Sequence, residues 1–256
     1  MRNVLNTLRV LEEVAARQPI GVGELARALD MPKSSVQRAL LTLNEAGWIR
    51  PASGETKRWV MTTKALAIGG RASGDLGLRD AAVPIMEDLR QRTEETIHLT
   101  VPEEDKVVLI ERLETSKPLR ISMALGHALP LHASANGKAV LANSGPEVVK
   151  RLLVDELPRY TDNTITDPDR MLAELADIRE RGFAVNHGEW RPDVGSVAAA
   201  VLEGPEKPIA SLSVNLPMSR LTEESEEACG IAVREAARNL STRLGYSATP
   251  QTDSAR

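Results

Sequence analysis

Lys33, Ser34, Ser35, Gln37, Arg38 and Thr42 place hydroxyls, an amide and two cations within ten residues. Hydroxyls and cations suit phosphate oxygens, whereas Gln37 and Arg38 can also reach base edges in a duplex groove. A second chemical cluster spans residues 129–142, with His132, Ser134, Gly137 and Lys138. Gly137-Lys138 does not make a phosphate-binding loop: that loop needs a glycine where His132 stands and a hydroxyl where Ala139 stands. His132 and Ser134 lack a third group to align a nucleophile and its base. The four histidines, His98, His127, His132 and His187, form no ligand spacing on one element, so no metal is expected. What survives is a binding site: Ala135, Asn136 and Gly137 would open a helix, whose free N–H groups favour an anion such as a carboxylate.

The first cluster needs a helix to hold it. Pro32 to Gly47 reads as one, with proline where a first helical residue is allowed and glycine where a left-handed cap ends it. Val36, Ala39, Leu40 and Leu43 share a core-facing stripe, and the polar cluster lies on the other side. Leu41 points outward with the polar residues for no reason visible in the sequence. Residues 2–17 repeat Val4, Leu5, Leu8, Leu11, Val14 and Ala15 at helical period, Gly23 to Leu29 predicts a short second helix, and Asp30-Met31 is a tight connection: a helix-turn-helix. Residues 48–51 and 57–61 then predict two strands around the turn Ala52–Thr56, the wing of a winged helix-turn-helix. Arg50, Lys57 and Arg58 would grip backbone phosphates from it. The overall charge of −4 hides an asymmetry. Residues 1–70 hold ten Lys/Arg against six Asp/Glu, so a basic module precedes an acidic body.

A chain of 256 residues favours two domains, and 42% apolar residues with only 2% aromatic leave Leu, Val, Ile and Ala to build the cores. The single Cys229 excludes an internal disulfide and reads as a small buried hydrophobe in a reducing, cytoplasmic setting. No secretion signal or membrane-spanning run is expected. Residues 62–70 predict a helical tail, 71–74 a hinge, and 76–93 a long helix interrupted by Pro84. The period then changes to strands at 96–101, 106–112 and 119–124, helices at 133–142, 147–153 and 166–181, strands at 183–187, 194–202 and 208–216, and a last helix from Thr222 to Gly245. This is an α+β domain with an antiparallel sheet.

Met31-Pro-Lys-Ser-Ser-Val-Gln-Arg-Ala-Leu, Leu129-Pro-Leu-His-Ala-Ser-Ala-Asn-Gly-Lys-Ala-Val-Leu-Ala142 and Arg181-Gly-Phe-Ala-Val-Asn-His-Gly-Glu189 with Val197-Ala-Ala-Ala-Val201 carry a family resemblance. On these segments the chain resembles the IclR family of bacterial transcription regulators over residues 2–245. The resemblance implies a winged helix-turn-helix domain at 1–70, a linker helix and candidate dimer contact at 71–94, a GAF-like effector-binding domain at 95–247 and a disordered tail at 248–256. It also implies homodimers, often paired into homotetramers on operator DNA, and control by a small molecule such as an organic acid. Carried over by motif, the effector positions are Leu129, Ala135, Asn136, Asn186, Val194, Ser196, Ser213 and Asn215. Asn186 stands where the family often has aspartate, Ser196 where it often has cysteine, and Asn215 where serine occurs, so a relative's ligand does not transfer directly.

The expected protein is thus a cytoplasmic, effector-controlled transcription factor with no catalytic residues and no cofactor. Its expected partners are double-stranded DNA, a small molecule and further copies of itself, and no membrane. The alternative is a hydrolase-like enzyme domain tethered to DNA, using His132, Ser134 and Lys138.

Overall fold

Residues three and four apart share a helix face, and that spacing builds the first core. The helix α1 (Arg2–Arg17) contributes Val10 and Val14, α2 (Val22–Ala28) contributes Leu25 and Ala26, and α3 (Lys33–Glu45) contributes Val36, Ala39, Leu40 and Leu43. They pack with Ile20, Ile49 and Trp59 of a small antiparallel sheet. Its strands are β1 (Ile20–Gly21), β2 (Ile49–Ala52) and β3 (Glu55–Met61), in the order β1-β3-β2. Strand β1 is an addition to the expected hairpin: Ile20 and Gly21 pair with Trp59 and Arg58 and tie the wing back to α2. Pro32 is the residue before α3 rather than its first helical one. At the other end the Trp48 N–H reaches the Leu43 carbonyl at 2.9 Å, which needs the left-handed conformation that Gly47 adopts at φ 75°.

The computed structural model describes residues 2–53, 55–72, 76–154 and 156–246. The chain divides into two units, Met1–Leu76 and Gly77–Arg256. The helix α4 (Lys64–Ala72) takes in Arg71 and Ala72 from the expected hinge; Ser73 and Gly74 lie outside the described residues, as do Gly54 of the wing turn and the tail at 248–256.

The second unit is built on alternation. Strands β4 (Thr96–Glu103), β5 (Lys106–Leu113), β6 (Ala128–Pro130), β7 (Ala184–His187), β8 (Val194–Gly204) and β9 (Lys207–Pro217) form one antiparallel sheet in the order β6-β5-β4-β9-β8-β7. On one face Ile97, Leu99, Val197, Val201, Leu212 and Val214 form a core with α5 (Leu76–Thr93) and α9 (Glu223–Arg243). Leu78, Ala82, Met86 and Leu89 of α5 lie in that core, so the segment expected as a linker helix is largely an internal part of this unit. The helix runs from 76 to 93 with Pro84 inside it. On the other face, α6 (Ala135–Ala142), α7 (Pro146–Leu152) and α8 (Pro168–Arg181) share a second core with Val107, Leu109, Ala184 and Ala198.

One expected strand is corrected. Residues 119–124 alternate apolar and polar like a strand, but they form a loop, and the third strand is β6 at 128–130. Arg120 and Ser122 both bond the Glu114 carboxylate, at 3.1 and 3.0 Å, which folds the loop onto the end of β5. Leu119 is left 63% exposed, and the edge of β5 is taken instead by Gly126, His127 and β6.

Candidate functional site

In the N-terminal unit α3 turns two faces in opposite directions. Val36, Ala39, Leu40 and Leu43 are buried; Lys33, Ser34, Gln37, Arg38, Leu41 and Thr42 are exposed, and Ser35 is half-buried. Thr42 donates its hydroxyl to the Arg38 carbonyl at 3.0 Å, one turn back on its own helix. Gln37 looks into a cleft of about 540 Å³ between α2 and the wing, lined also by Arg27, Lys57 and Arg58. Ser35, Arg38 and Thr42 line a smaller hollow of about 200 Å³ on the opposite flank, against Asn3, Asn6 and Thr7 of α1. Lys57 and Arg50 are exposed on the wing, Arg50 donating to the Pro51 carbonyl at 3.2 Å. Arg58 differs. It donates to the Pro19 carbonyl at 3.1 Å and pairs with Glu24 at 3.2 Å, so its guanidinium braces the wing against α2.

In the second unit the strand register gathers the polar residues. Asn186, Ser196, Asn215 and Thr96 stand in one row across β7, β8, β9 and β4, and Ser213 and His98 stand opposite each other in the next. Thr100 and Ser211 follow, sharing a 2.7 Å hydrogen bond. All eight are buried. The start of α6 lies over them: Asn136 Nδ2 donates to Thr100 Oγ1 at 3.2 Å and to Ser211 Oγ at 3.0 Å. Asn215 Nδ2 donates to Ser213 Oγ at 2.9 Å, and Asn186 Oδ1 accepts the Glu189 N–H at 2.7 Å. Val194, two residues before Ser196, belongs to the same face at its end. Ala135 is fully buried at the first turn of α6. Seven of the eight expected effector positions therefore converge. The eighth, Leu129, pairs with Val107 on edge strand β6; it is buried in the core cluster that includes Ala135 and also lines a cleft of about 460 Å³ with His132, Tyr160 and Trp190.

His98 was not among the expected positions. It is fully buried, and neither ring nitrogen has a hydrogen-bond partner among the described residues. Burial holds its pKa down to about 4, and Arg112 pushes the same way. The available signal was the alternation of Thr96, His98 and Thr100 with Ile97 and Leu99, which makes one face of an otherwise apolar strand polar.

The residues of the enzyme alternative are committed to the fold. His132 Nε2 lies 2.8 Å from the Pro158 carbonyl, which can only accept and so fixes that nitrogen as a donor. Ser134 donates to the Pro130 carbonyl at 2.7 Å and, as the residue capping α6, accepts the Gly137 N–H at 3.0 Å. Lys138 is 1% exposed and pairs with Glu189 at 2.6 Å and Glu174 at 3.3 Å. Burial raises the Glu189 pKa, and Lys138 opposes it. Gly137 has a steric reason: a Cβ there would stand 2.3 Å from the Leu131 carbonyl oxygen. Among the described residues, no His/Cys/Asp/Glu group could hold a metal and no helix is long and apolar enough to cross a membrane. Cys229 is buried, its thiol pushed up to about 11.

A helix-turn-helix with a hairpin wing, followed by a two-faced sheet enclosing a polar patch, defines a winged-helix regulator with a sensor domain. Residues 4–53 match the IclR helix-turn-helix domain and residues 71–242 the C-terminal domain of bacterial IclR transcriptional regulators. The chain belongs to the IclR family. It is 31% identical over 245 residues to the HTH-type transcriptional regulator KdgR of Escherichia coli, covering 95% of this chain and 93% of that one. The Thermotoga maritima IclR structure superposes with a TM-score of 0.82 at 28% identity, covering 96% of this chain and 100% of that one. An IclR homolog from Microbacterium hydrocarbonoxydans complexed with 4-hydroxybenzoate superposes at 0.79 with 27% identity, covering 94% and 98%. The chain is thus a DNA-binding transcriptional regulator.

Proposed function

We propose that this regulator places α3 in the major groove of operator DNA as paired copies, and that a small organic acid bound on the polar face beneath α6 sets its grip. The observation that carries the sensor reading is His98: a buried imidazole with two unpartnered nitrogens, among serines and asparagines, is costly unless something polar comes to meet it. The 4-hydroxybenzoate in the Microbacterium homolog supports a carboxylate. The hydroxyl and amide groups of Ser196, Ser213, Asn186 and Asn215 would orient it, with His98 beside them and Val194 over its apolar part. The commitment of His132, Ser134 and Lys138 to the fold speaks against turnover.

Pairing has its own support. Val4, Leu5 and Leu8 of α1 are 64%, 62% and 47% exposed, an apolar stripe that a second copy would cover. Two recognition helices then read two half-sites. A ligand changes DNA affinity only through differential affinity for the two states of the regulator. Like its relatives, which are bacterial transcriptional regulators, the protein would work in the cytoplasm.

The test is selection of duplexes from a random-sequence library by the full chain, followed by titration of the enriched duplex with and without 4-hydroxybenzoate, acetate and a panel of small carboxylic acids. Enrichment and an acid-dependent change in affinity are expected. Failure to enrich any duplex overturns the DNA reading. Enrichment with affinity unmoved by every acid overturns the sensor reading.

A further inference from the structure

We infer that Leu41 is a base-reading residue and that what it reads is the 5-methyl group of a thymine. This rests on the placement of α3 in the major groove and adds to it a specificity element.

Leu41 is 53% exposed on a helix whose other aliphatic leucines and valine are buried. At about 100° per residue it lies about 20° from Ser34 around the helix, and Gln37 and Arg38 flank the line between them. Ser34, Gln37, Arg38 and Leu41 thus follow the i, i+3, i+4, i+7 spacing, a single ridge down the outward face. Homeodomain recognition helices set their base-reading residues at this same spacing. Leu41 is therefore central in the face that the groove would cover, about 10 Å along the axis from Ser34.

Among the described residues, neither the core of the unit nor the two hollows beside α3 account for it. Leu41 is absent from the core of α1, α2, α3 and the small sheet. The two hollows described beside α3 are lined without it, the one by Gln37 and the wing, the other by Ser35, Arg38, Thr42 and α1. The α1 residues that line that second hollow, Asn3, Asn6 and Thr7, are polar.

The partner follows from groove chemistry. An isobutyl group offers neither donor nor acceptor. Set against the edge of guanine, cytosine or adenine, it would strip water from polar atoms and return nothing. The thymine 5-methyl is the one apolar feature on a major-groove edge. Leu41 over that methyl leaves Gln37 and Arg38 to the neighbouring base edges, so the ridge reads one apolar and several polar features.

The experiment uses the full chain and a duplex enriched from a random library. Each thymine is replaced in turn by deoxyuridine, which removes only the methyl and keeps every hydrogen-bonding atom. Affinity is read by fluorescence anisotropy for the wild type and for Leu41→Ala, with thermal melts confirming that the variant folds. One thymine per half-site should show about a fourfold loss for the wild type on methyl removal, and no loss for Leu41→Ala. Leu41→Gln should bind an adenine at that position better than the thymine. Methyl removal that leaves wild-type affinity unchanged at every thymine overturns the assignment while the groove reading stands. So does a methyl effect of equal size in Leu41→Ala. If the wild type enriches no duplex at all, it is the groove reading that falls, and the assignment falls with it.

Discussion

His98 on β4 stands directly opposite Ser213 on β9, fully buried, with neither of its ring nitrogens hydrogen-bonded within the described protein. Its pKa is held at about 4 against an ordinary 6.5. Between these values the unfolded chain binds a proton that the folded chain refuses, so stability is complete above about pH 6.5 and is lost as pH falls toward 4. The loss should reach about 3 kcal/mol. Urea unfolding from pH 7 to pH 4 measures it. His98→Leu should flatten that part of the profile relative to the wild type; an identical profile would show that the imidazole already takes up its proton when folded.

Gly137 lies against the Leu131 backbone, where a Cβ would meet the carbonyl oxygen at 2.3 Å. Backbone cannot swing aside as a side chain can. Gly137→Ala should therefore cost at least about 3 kcal/mol, well beyond an ordinary helical substitution. Thermal melts would report it as a large drop in Tm, whereas Ala139→Gly, nearby on α6, should cost only about 1 kcal/mol from helix propensity plus the loss of its buried methyl.

Lys138 and Glu189 form a buried pair at 2.6 Å, with Glu174 also on the lysine. Lys138→Met should cost about 3–5 kcal/mol because it leaves buried carboxylate charge uncompensated. Glu189→Gln in the Lys138→Met background should recover part of that loss. A double-mutant cycle by denaturant unfolding checks this, and simple additivity of the two substitutions would count against the pairing as the cause.

On the DNA side two of the wing cations, Lys57 and Arg58, should behave differently. Lys57 is exposed and would act on phosphate, so Lys57→Ala should reduce the slope of log affinity against log salt by about one unit and weaken all duplexes alike. Arg58 braces the wing through Glu24 and Pro19, so Arg58→Ala should also lower the melting temperature, by less than about 1 kcal/mol of stability for so exposed an ion pair. Arg38→Ala should cost about 1–3 kcal/mol on the enriched duplex only. Anisotropy titrations at several salt concentrations, together with thermal melts, separate these three outcomes.

Much of this was legible where local rules act alone. Pro32 and Gly47 bracket α3, and Asp167 and Gly182 bracket α8, because helix ends are decided within a few residues. At 119–124 alternation shows only that the segment could pair, while Glu114 and the competing edge strand decide that it does not. Leu129 is grouped with the polar face by motif alone; the sheet order sets β6 two strands from β4, and Leu129 is buried in the core cluster that includes Ala135 rather than in the polar rows. Lys138 could not be read at all from its surroundings, since both its acids come from beyond α7, 36 and 51 residues away.

The strands β4 and β9 are a wall one peptide thick between two differently furnished rooms. His98, Thr100 and Ser213 face the polar side; Ile97, Leu99, Leu212 and Val214 face the core shared with α5. Any guest that presses on the first set leans, one residue later along the same strand, on the second. A guest on the proposed polar face would thus be separated only by this wall from the core that holds α5, the helix at which the chain enters this unit.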